Sequence, residues 1–298
     1  MSEPQEEISE LFTQSFAKVL NRHGYGFQFS VLKKVDELVR HRKTGWSFEA
    51  CEFPVQVQGA GTRVDFVLSR ASGRYNSTPL YLIAECKRAN PSLSNWCFVR
   101  APYRHSAAEE GERDGIILEC VLREDGILKA FAREVGRGNN IYHIGREVRT
   151  NVKGDKEGES GQAIEDAATQ VSRHVNGFIE TVVRELGIIE SDSSHVDFMP
   201  VIFTTANLYV SDVDLSLADM PTGKVELKTD QVKPIPWLFY QYALSPGLKH
   251  SVESKRKDYR SIAELLQWGY LRTIPVVSPA GIEPFLLWAS NLDTRIWS

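Results

Sequence analysis

The chain has 298 residues, of which 42% are hydrophobic and 25% are charged, the proportions of an ordinary globular protein. It has no run of roughly 18 apolar residues, which a membrane-spanning helix needs, and residues 1–7 are acidic where a signal peptide would be basic and then apolar. These features exclude a membrane protein and predict a soluble, cytoplasmic one, while the formal net charge of -4 disfavours nonspecific coating of nucleic acid but allows a local basic cleft.

The first third of the chain predicts two helices followed by three strands. Apolar residues recur at helical spacing over residues 7–20 and again over residues 30–41, with a glycine-containing stretch between them. Runs of branched and aromatic residues between polar or glycine-rich turns predict strands at residues 47–57, 62–69 and 80–87. The expected arrangement is a helix followed directly by an antiparallel meander.

The middle of the chain predicts strands and then a long helix. Residues 95–150 are strand-like, and Asp125-Gly126 predicts a hairpin turn between residues 115–122 and 127–134. Residues 151–162 are polar and glycine-rich, which predicts a mobile loop. An apolar stripe predicts a helix at residues 163–186 and a buried run predicts a strand at residues 197–210. The order helix, three strands, helix, strand is then complete.

The last third is less regular in pattern. It predicts a strand at residues 225–232, an aromatic run at 236–242 that we interpret as core packing, a helix at 259–270 and an apolar stretch at 274–288. We find no repeat and no linker that would separate a second independent domain. The prediction is therefore one elaborated domain over residues 1–298.

Three charged residues interrupt the apolar strands. Asp65 lies in the second strand, and Glu85 and Lys87 lie in the third. Side chains two apart on a strand share a face, so Glu85 and Lys87 point the same way. If the two strands pair as a hairpin, Asp65 is brought opposite them. The sequence predicts two carboxylates and an ammonium converging at a sheet edge.

Such a group suits metal-dependent phosphodiester chemistry. Mg2+ prefers oxygen ligands and keeps several of its waters, so one or two carboxylates plus phosphate oxygens of the substrate are enough to hold it. Bound metal acidifies a coordinated water, and a nearby lysine can orient or help to deprotonate that water. Asp65 and Glu85 fit the metal ligands and Lys87 fits the water-activating group, with Mn2+ a possible substitute for Mg2+.

This pattern resembles the restriction-endonuclease-like superfamily, the PD-(D/E)XK nucleases, through Asp65, Glu85, Lys87 and the order of elements. The resemblance implies an α/β fold with a mixed α+β sheet and an αβββαβ core at about residues 28–94 and 163–210. A β-rich insert at about 95–162 and a C-terminal elaboration at about 211–298 would complete it. The resemblance implies a Mg2+-dependent DNA nuclease that acts in restriction, defence or repair. In that family the acids bind the metal and the lysine assists the attacking water, which implies these roles for Asp65, Glu85 and Lys87.

Further residues follow from the same resemblance. Gln170 matches the glutamine of a Gln-x-x-x-Tyr motif on the second core helix and is expected to support the site, although His174 stands where that motif has tyrosine. The family's usual proline before the first acid is Val64 here, which removes no ligand. An additional acid is expected from Glu37 on the helix, or from Glu49 or Glu52 on the first strand.

Zinc, iron–sulfur and nucleotide sites are not indicated. None of the cysteines belongs to a Cys-x-x-Cys pair, and the glycine pairs lack the residues that complete a phosphate-binding loop. The histidines have no metal-ligand spacing, and we interpret them as structural; they are His105, His143, His174 and His195. Any ATPase or helicase that works with the protein must come from a separate subunit.

Two basic segments could contact nucleic acid. Residues 33–43 and 249–260 each carry five cationic residues against two acidic ones. The candidate contacts are Lys33, Lys34 and Arg40 in the first segment and Lys255, Arg256 and Lys257 in the second. A solvated surface is the alternative interpretation of each.

The sequence leaves alternatives for the nucleic-acid substrate and for the oligomeric state. DNA is the expected substrate and RNA is not excluded, since the same metal chemistry serves both. A homodimer is a possible assembly because double-strand cutting usually needs two such centres. The alternative function is a catalytically inactive nucleic-acid-binding or assembly module of the same fold. The order of elements does not distinguish an endonuclease from an exonuclease.

Overall fold

The computed structural model describes residues 10–22, 24–70, 79–102, 114–149, 162–183, 189, 195–246, 248, 253–254 and 261–292. Over these residues the chain is α/β, with parallel and antiparallel strands mixed in its sheets. None of the helices in the described ranges combines the length and the apolar character needed to cross a bilayer.

The helices and strands alternate unevenly along the chain. The helices are α1 (Glu10–Arg22), α2 (Tyr25–Arg40), α3 (Ala163–Phe178), α4 (Ile262–Glu264) and α5 (Ile282–Ser290). The strands of the first half are β1 (Trp46–Val57), β2 (Ala60–Arg70), β3 (Leu80–Lys87), β4 (Asn95–Val99), β5 (Gly115–Glu124), β6 (Ile127–Arg137), β7 (Ile141–Tyr142) and β8 (Ile144–Val148). The remaining strands are β9 (His195–Thr204), β10 (Asn207–Ser211), β11 (Val232–Pro234), β12 (Trp237–Ala243), β13 (Glu253–Ser254) and β14 (Leu271–Val277).

The main sheet has the strand order β1-β2-β3-β9-β14-β12-β7. The first three strands form an antiparallel meander, and β9 and β14 then continue it in parallel with β3. The hairpin β5–β6 joins this sheet through β9. Strands from the predicted insert and from the last third of the chain therefore extend the same sheet.

A smaller sheet has the order β11-β10-β4-β8. Its central pair, β4 and β10, is parallel, and its outer pairs are antiparallel. It contains two strands of the predicted insert, and β10 follows directly after β9 of the main sheet.

Helices cover both faces of the meander. Val31 and Val35 of α2 pack in one core with Phe66 and Ala84 of β2 and β3 and with Phe285 of α5. The opposite face packs against α3, and that core is formed by Val55, Val64, Val67, Ile83, Val175, Phe178 and Phe198. Because side chains alternate along β3, the residues around Ile83 on its face, including Glu85 and Lys87, point toward α3. This arrangement brings α3 over the charged end of β3.

Several local predictions are confirmed. The three meander strands lie within one or two residues of their predicted bounds, and β3 matches them at both ends. The β5–β6 hairpin turns at Asp125 and Gly126, whose φ angles of 52° and 74° are the left-handed values that a tight two-residue hairpin turn requires. The apolar stripe predicted for α3 is buried.

Other predictions are wrong in their bounds. Helix α2 begins at Tyr25, not at residue 30, because Gly24 adopts a left-handed φ of 75° and ends the turn after α1. The strand predicted at residues 197–210 is two strands in different sheets, separated at residues 205–206. Within 225–232 only Val232 is in a strand. The apolar stretch at 274–288 divides into the end of β14 and most of α5.

The helix predicted at residues 7–20 is present as α1, but its apolar side chains do not pack in the core. The apolar side chains of α1 are exposed, from 42% for Leu20 to 76% for Leu11. The predicted helix at 259–270 consists of the short α4 and a π-helical turn, Leu265–Tyr270. Residues 151–161 of the predicted mobile loop, His105 and the end of the 163–186 helix lie outside the described residues.

Candidate active site

The charged ends of β2 and β3 open into a cleft of about 390 Å3. Helix α2, strands β1 to β3 and helix α3 contribute its lining. The lining residues are Gly24, Tyr25, Gln28, Glu52, Asp65, Glu85, Cys86, Lys87, Arg88 and Gln170. The structure thus brings together the predicted residues Asp65, Glu85, Lys87 and Gln170.

Asp65 is held by the strand next to it. Its Oδ2 atom accepts a hydrogen bond of 2.5 Å from the backbone N–H of Cys86. The neighbouring pair Phe66 and Ala84 fixes the register, so Asp65 lies at the level of Glu85. Burial raises the pKa of Asp65 from 3.8 to about 6, and the Cys86 hydrogen bond opposes that rise.

Glu85 is almost completely buried, with 3% of the residue exposed. Its two oxygens face different neighbours: Oε1 lies 3.7 Å from Lys87 Nζ, and Oε2 lies 3.5 Å from His174 Nδ1. Burial, and then the charge of Asp65, raise the pKa of Glu85 to about 8. Two carboxyls that repel each other in a desolvated cleft favour a bound cation or proton between them.

Lys87 is held between the acids and α3. Its Nζ atom donates a hydrogen bond of 3.3 Å to the side-chain oxygen of Gln170. The side chain remains 28% exposed, so its ammonium faces the cleft. An ammonium has three N–H donors, and the contacts with Gln170 and Glu85 leave one for a ligand.

A glutamine that we did not predict supports the acids from α2. Gln28 is 4% exposed, and its Nε2 atom donates to the backbone oxygen of Asp65 at 2.7 Å and to Glu52 Oε1 at 3.2 Å. Gln28 lies before the helix predicted from residue 30, and only the observed start of α2 at Tyr25 places it one turn before the buried Val31.

Of the candidates for an additional acid, Glu52 lines the cleft. Pairs on either side, Cys51 with Phe66 and Phe53 with Val64, place it opposite Asp65 across β1 and β2. Glu37 is exposed on α2 and does not line the cleft. Glu49 accepts a hydrogen bond from Ser69 instead.

His174, which we interpreted as structural, reaches the site from α3. It is fully buried, and its Nε2 atom lies 3.1 Å from Thr62 Oγ1 while Nδ1 faces Glu85. Burial is the main cause that lowers its pKa from 6.5 to about 4, so the imidazole is neutral at pH 7. The Gln170-x-x-x-His174 spacing carried the signal, because residues four apart share a helix face.

Three cations of the basic segment at residues 33–43 pair with acids. Lys34 and Lys43 both contact Glu283 of α5, at 3.0 and 2.6 Å. Arg40 pairs with Asp36 at 2.7 Å, and Lys33 is exposed. Lys255, Arg256 and Lys257 lie outside the described residues. Nucleic-acid binding by these residues stays a prediction.

The aromatic run packs in the protein as expected. Trp237 contacts the rings of Phe239, Phe285 and Trp288, with centroids 5.2 to 5.5 Å apart, and Tyr240 is buried. His143 is held between Asp114 and the backbone N–H of Ala101. These side chains have structural roles.

The donor set fits a hard cation held by few protein ligands. Within the described ranges, no group of three His, Cys, Asp or Glu side chains has the arrangement of a metal site. Two carboxylates are nevertheless sufficient for Mg2+, which keeps its own waters. Both acids line the cleft, where Glu85 Oε1 lies on the side of Lys87, and burial raises the pKa of each carboxyl. Asp65 and Glu85 would therefore hold the ion.

Comparison with known proteins gives no match: no protein-family model, no curated protein and no solved structure is similar to this chain at a significant level.

Proposed function

We propose that the protein is a Mg2+-dependent nuclease that hydrolyses phosphodiester bonds of DNA. The observation that carries this proposal is the meeting of Asp65, Glu85 and Lys87 in one cleft at the ends of two paired strands. A carboxylate pair beside an ammonium is an arrangement that suits metal-assisted phosphodiester cleavage.

The order of elements around the cleft supports the same proposal. Helix α2 is followed by the meander β1-β2-β3 and, after the intervening strands β4 to β8, by α3 and by β9, which lies parallel to β3. This order agrees with an αβββαβ core of the restriction-endonuclease-like kind, which we propose as the more specific description of the fold.

The residues of the cleft have distinct proposed roles. Asp65 and Glu85 are the metal ligands, and a metal bound there would acidify a water and offset charge on the scissile phosphate. Lys87 orients the attacking water through the third N–H of its ammonium, which is not used in the contacts with Gln170 and Glu85. Gln170 keeps the ammonium of Lys87 at the mouth of the cleft.

The direct test is cleavage of plasmid and linear DNA in Mg2+ or Mn2+, with EDTA as the metal-free control. We expect cutting by the wild-type protein and a loss of at least about 100-fold in Asp65→Asn and Lys87→Ala, the range for a removed acid–base group. Glu49→Gln, an exposed acid on the neighbouring strand, is the matched control and should cut normally. Equal cleavage by Asp65→Asn and the wild type would contradict the proposal.

The same preparation separates the alternatives. DNA binding without cleavage and without metal binding in calorimetry would favour a catalytically inactive binding module. Cleavage of an RNA strand that stops when the scissile nucleotide is 2′-deoxy would identify an RNA-directed enzyme.

A further inference from the structure

His174 and Glu85 form a buried pair in which the two atoms that face each other have no other described partner. These atoms, His174 Nδ1 and Glu85 Oε2, lie inside the protein, and neither makes a hydrogen bond within the described residues. They face each other at 3.5 Å, with His174 fully buried and Glu85 3% exposed. A buried polar atom without a partner is unfavourable, so two such atoms that face each other indicate an interaction.

Glu85 determines which nitrogen of His174 carries the proton. A neutral imidazole has one N–H donor and one acceptor nitrogen. The hydroxyl of Thr62 lies 3.1 Å from Nε2 and can donate or accept, so it fits either tautomer. An ionised carboxylate can only accept, so Glu85 Oε2, 3.5 Å from Nδ1, selects the tautomer with the proton on Nδ1.

The pair also decides which oxygen of Glu85 faces the substrate. Oε2 is turned toward α3 and His174, whereas Oε1 lies toward Lys87 and the cleft. Without a donor at Nδ1, the contact of Oε1 with Lys87 would hold only one of the two carboxylate oxygens. A ligand carboxylate is normally fixed by such a neighbouring donor.

From this geometry we propose that His174 is a positioning residue, which contacts Thr62 through Nε2 and donates its Nδ1–H to Glu85 Oε2, so that Oε1 is presented to the cleft. This inference rests on the proposed function only where it gives Glu85 a ligand role. The tautomer itself can be read in the metal-free protein at a pH where Glu85 is ionised.

Two variants distinguish positioning from packing. In His174→Asn the side-chain amide nitrogen lies near the position of Nδ1 and keeps a donor toward Glu85, whereas His174→Leu has similar bulk and no donor. We expect His174→Leu to bind Mn2+ about 10–100-fold more weakly in calorimetry, the usual effect of losing such a neighbour. His174→Asn should recover most of that loss. A packing role would lower the melting temperature of both variants and leave the Mn2+ affinity of the folded protein unchanged.

The tautomer is read by NMR of protein with 15N-labelled histidine. Spectra are recorded without metal at pH 9.5, where both acids of the site are ionised, and His174→Asn assigns the signals by their absence. We expect a protonated Nδ1 and an unprotonated Nε2 in the wild type, the same tautomer in Thr62→Val, and a loss of that preference in Glu85→Ala. A proton on Nε2 in the wild type, or wild-type Mn2+ affinity in His174→Leu, would overturn the inference. If the wild type bound no Mn2+, the proposed function would fail while the spectra still decided the tautomer.

Discussion

Lys87 at the end of β3 and Gln170 on α3 are joined by a hydrogen bond of 3.3 Å, in which the lysine ammonium donates to the glutamine oxygen. The bond fixes a flexible side chain beside Glu85 Oε1, which is 3.7 Å away. We expect Gln170→Leu to lower the cleavage rate by about 10–100-fold, because displacing a catalytic group by about 1 Å has an effect of that size.

Asp166→Asn is the matched control for this prediction, since Asp166 lies one turn earlier on α3 and is exposed. It should leave cleavage unchanged. If Gln170→Leu cut DNA as fast as Asp166→Asn, Lys87 would need no help from α3.

The raised pKa values predict how the stability of the metal-free protein depends on pH. The pKa of Glu85 rises to about 8, and that of Asp65 rises from 3.8 to about 6. The folded protein therefore holds these protons to higher pH than the unfolded chain does. Their contribution to stability is present below about pH 4 and is lost as the pH rises from about 4 to 8.

Glu85→Gln removes the group that is responsible for most of this loss. We expect it to raise the melting temperature at pH 8.5 in EDTA, by about 2–4 °C for each kcal/mol gained, and to change it little at pH 5. Glu37→Gln, an exposed acid on α2, should shift neither value. A Glu85→Gln protein that melts below the wild type at pH 8.5 would refute this expectation.

Metal binding should also depend on pH, because the metal needs Asp65 and Glu85 in the ionised form that burial disfavours. Bound metal requires ionised carboxylates, so it competes with the protons on Asp65 and Glu85. We expect the Mn2+ affinity to increase between about pH 6 and 8 and the protein to release protons on binding. Calorimetry in two buffers of different ionisation enthalpy measures that release, and its absence at pH 7 would show that the acids are already ionised.

Glu52 rather than Glu37 is expected to be the additional acid. Glu52 lines the cleft and accepts from Gln28, which also binds the backbone of Asp65. We expect Glu52→Gln to lower Mn2+ affinity by about 10-fold, in the range for residues around a metal. Glu37→Gln is the control at the competing position. Equal effects of the two changes would leave Glu52 without a special role.

The parts of the site that the sequence could predict are those set by local geometry. Glu85 and Lys87 share a face because they are two apart on one strand, and a short connection pairs β2 with β3, so Asp65 comes to their level. The role of Gln170 could be predicted only through the family resemblance, because its contact with Lys87 joins residues 83 apart in the chain.

The parts that were missed depend on tertiary contacts. Gln28 reaches Asp65 only because α2 begins at Tyr25, and that start requires the left-handed φ of Gly24. The break between β9 and β10 lies at Thr205 and Ala206, within the segment that we predicted as one strand. There the hydroxyl of Thr205 accepts a hydrogen bond from the backbone N–H of Ala89, a residue distant in the chain.

A buried ion pair between β6 and β9 is expected to contribute to the stability of the main sheet. Asp197 is fully buried on β9, and Arg133 of β6 donates to both its oxygens at 3.0 and 2.6 Å. We expect Asp197→Ala to lower the free energy of unfolding by about 3–5 kcal/mol, because it removes the buried carboxylate that accepts both of these hydrogen bonds. Asp36→Ala breaks the exposed pair with Arg40 and should lower it by less than about 1 kcal/mol. Urea unfolding measures both, and similar losses in the two variants would show that water replaces Asp197 beside Arg133.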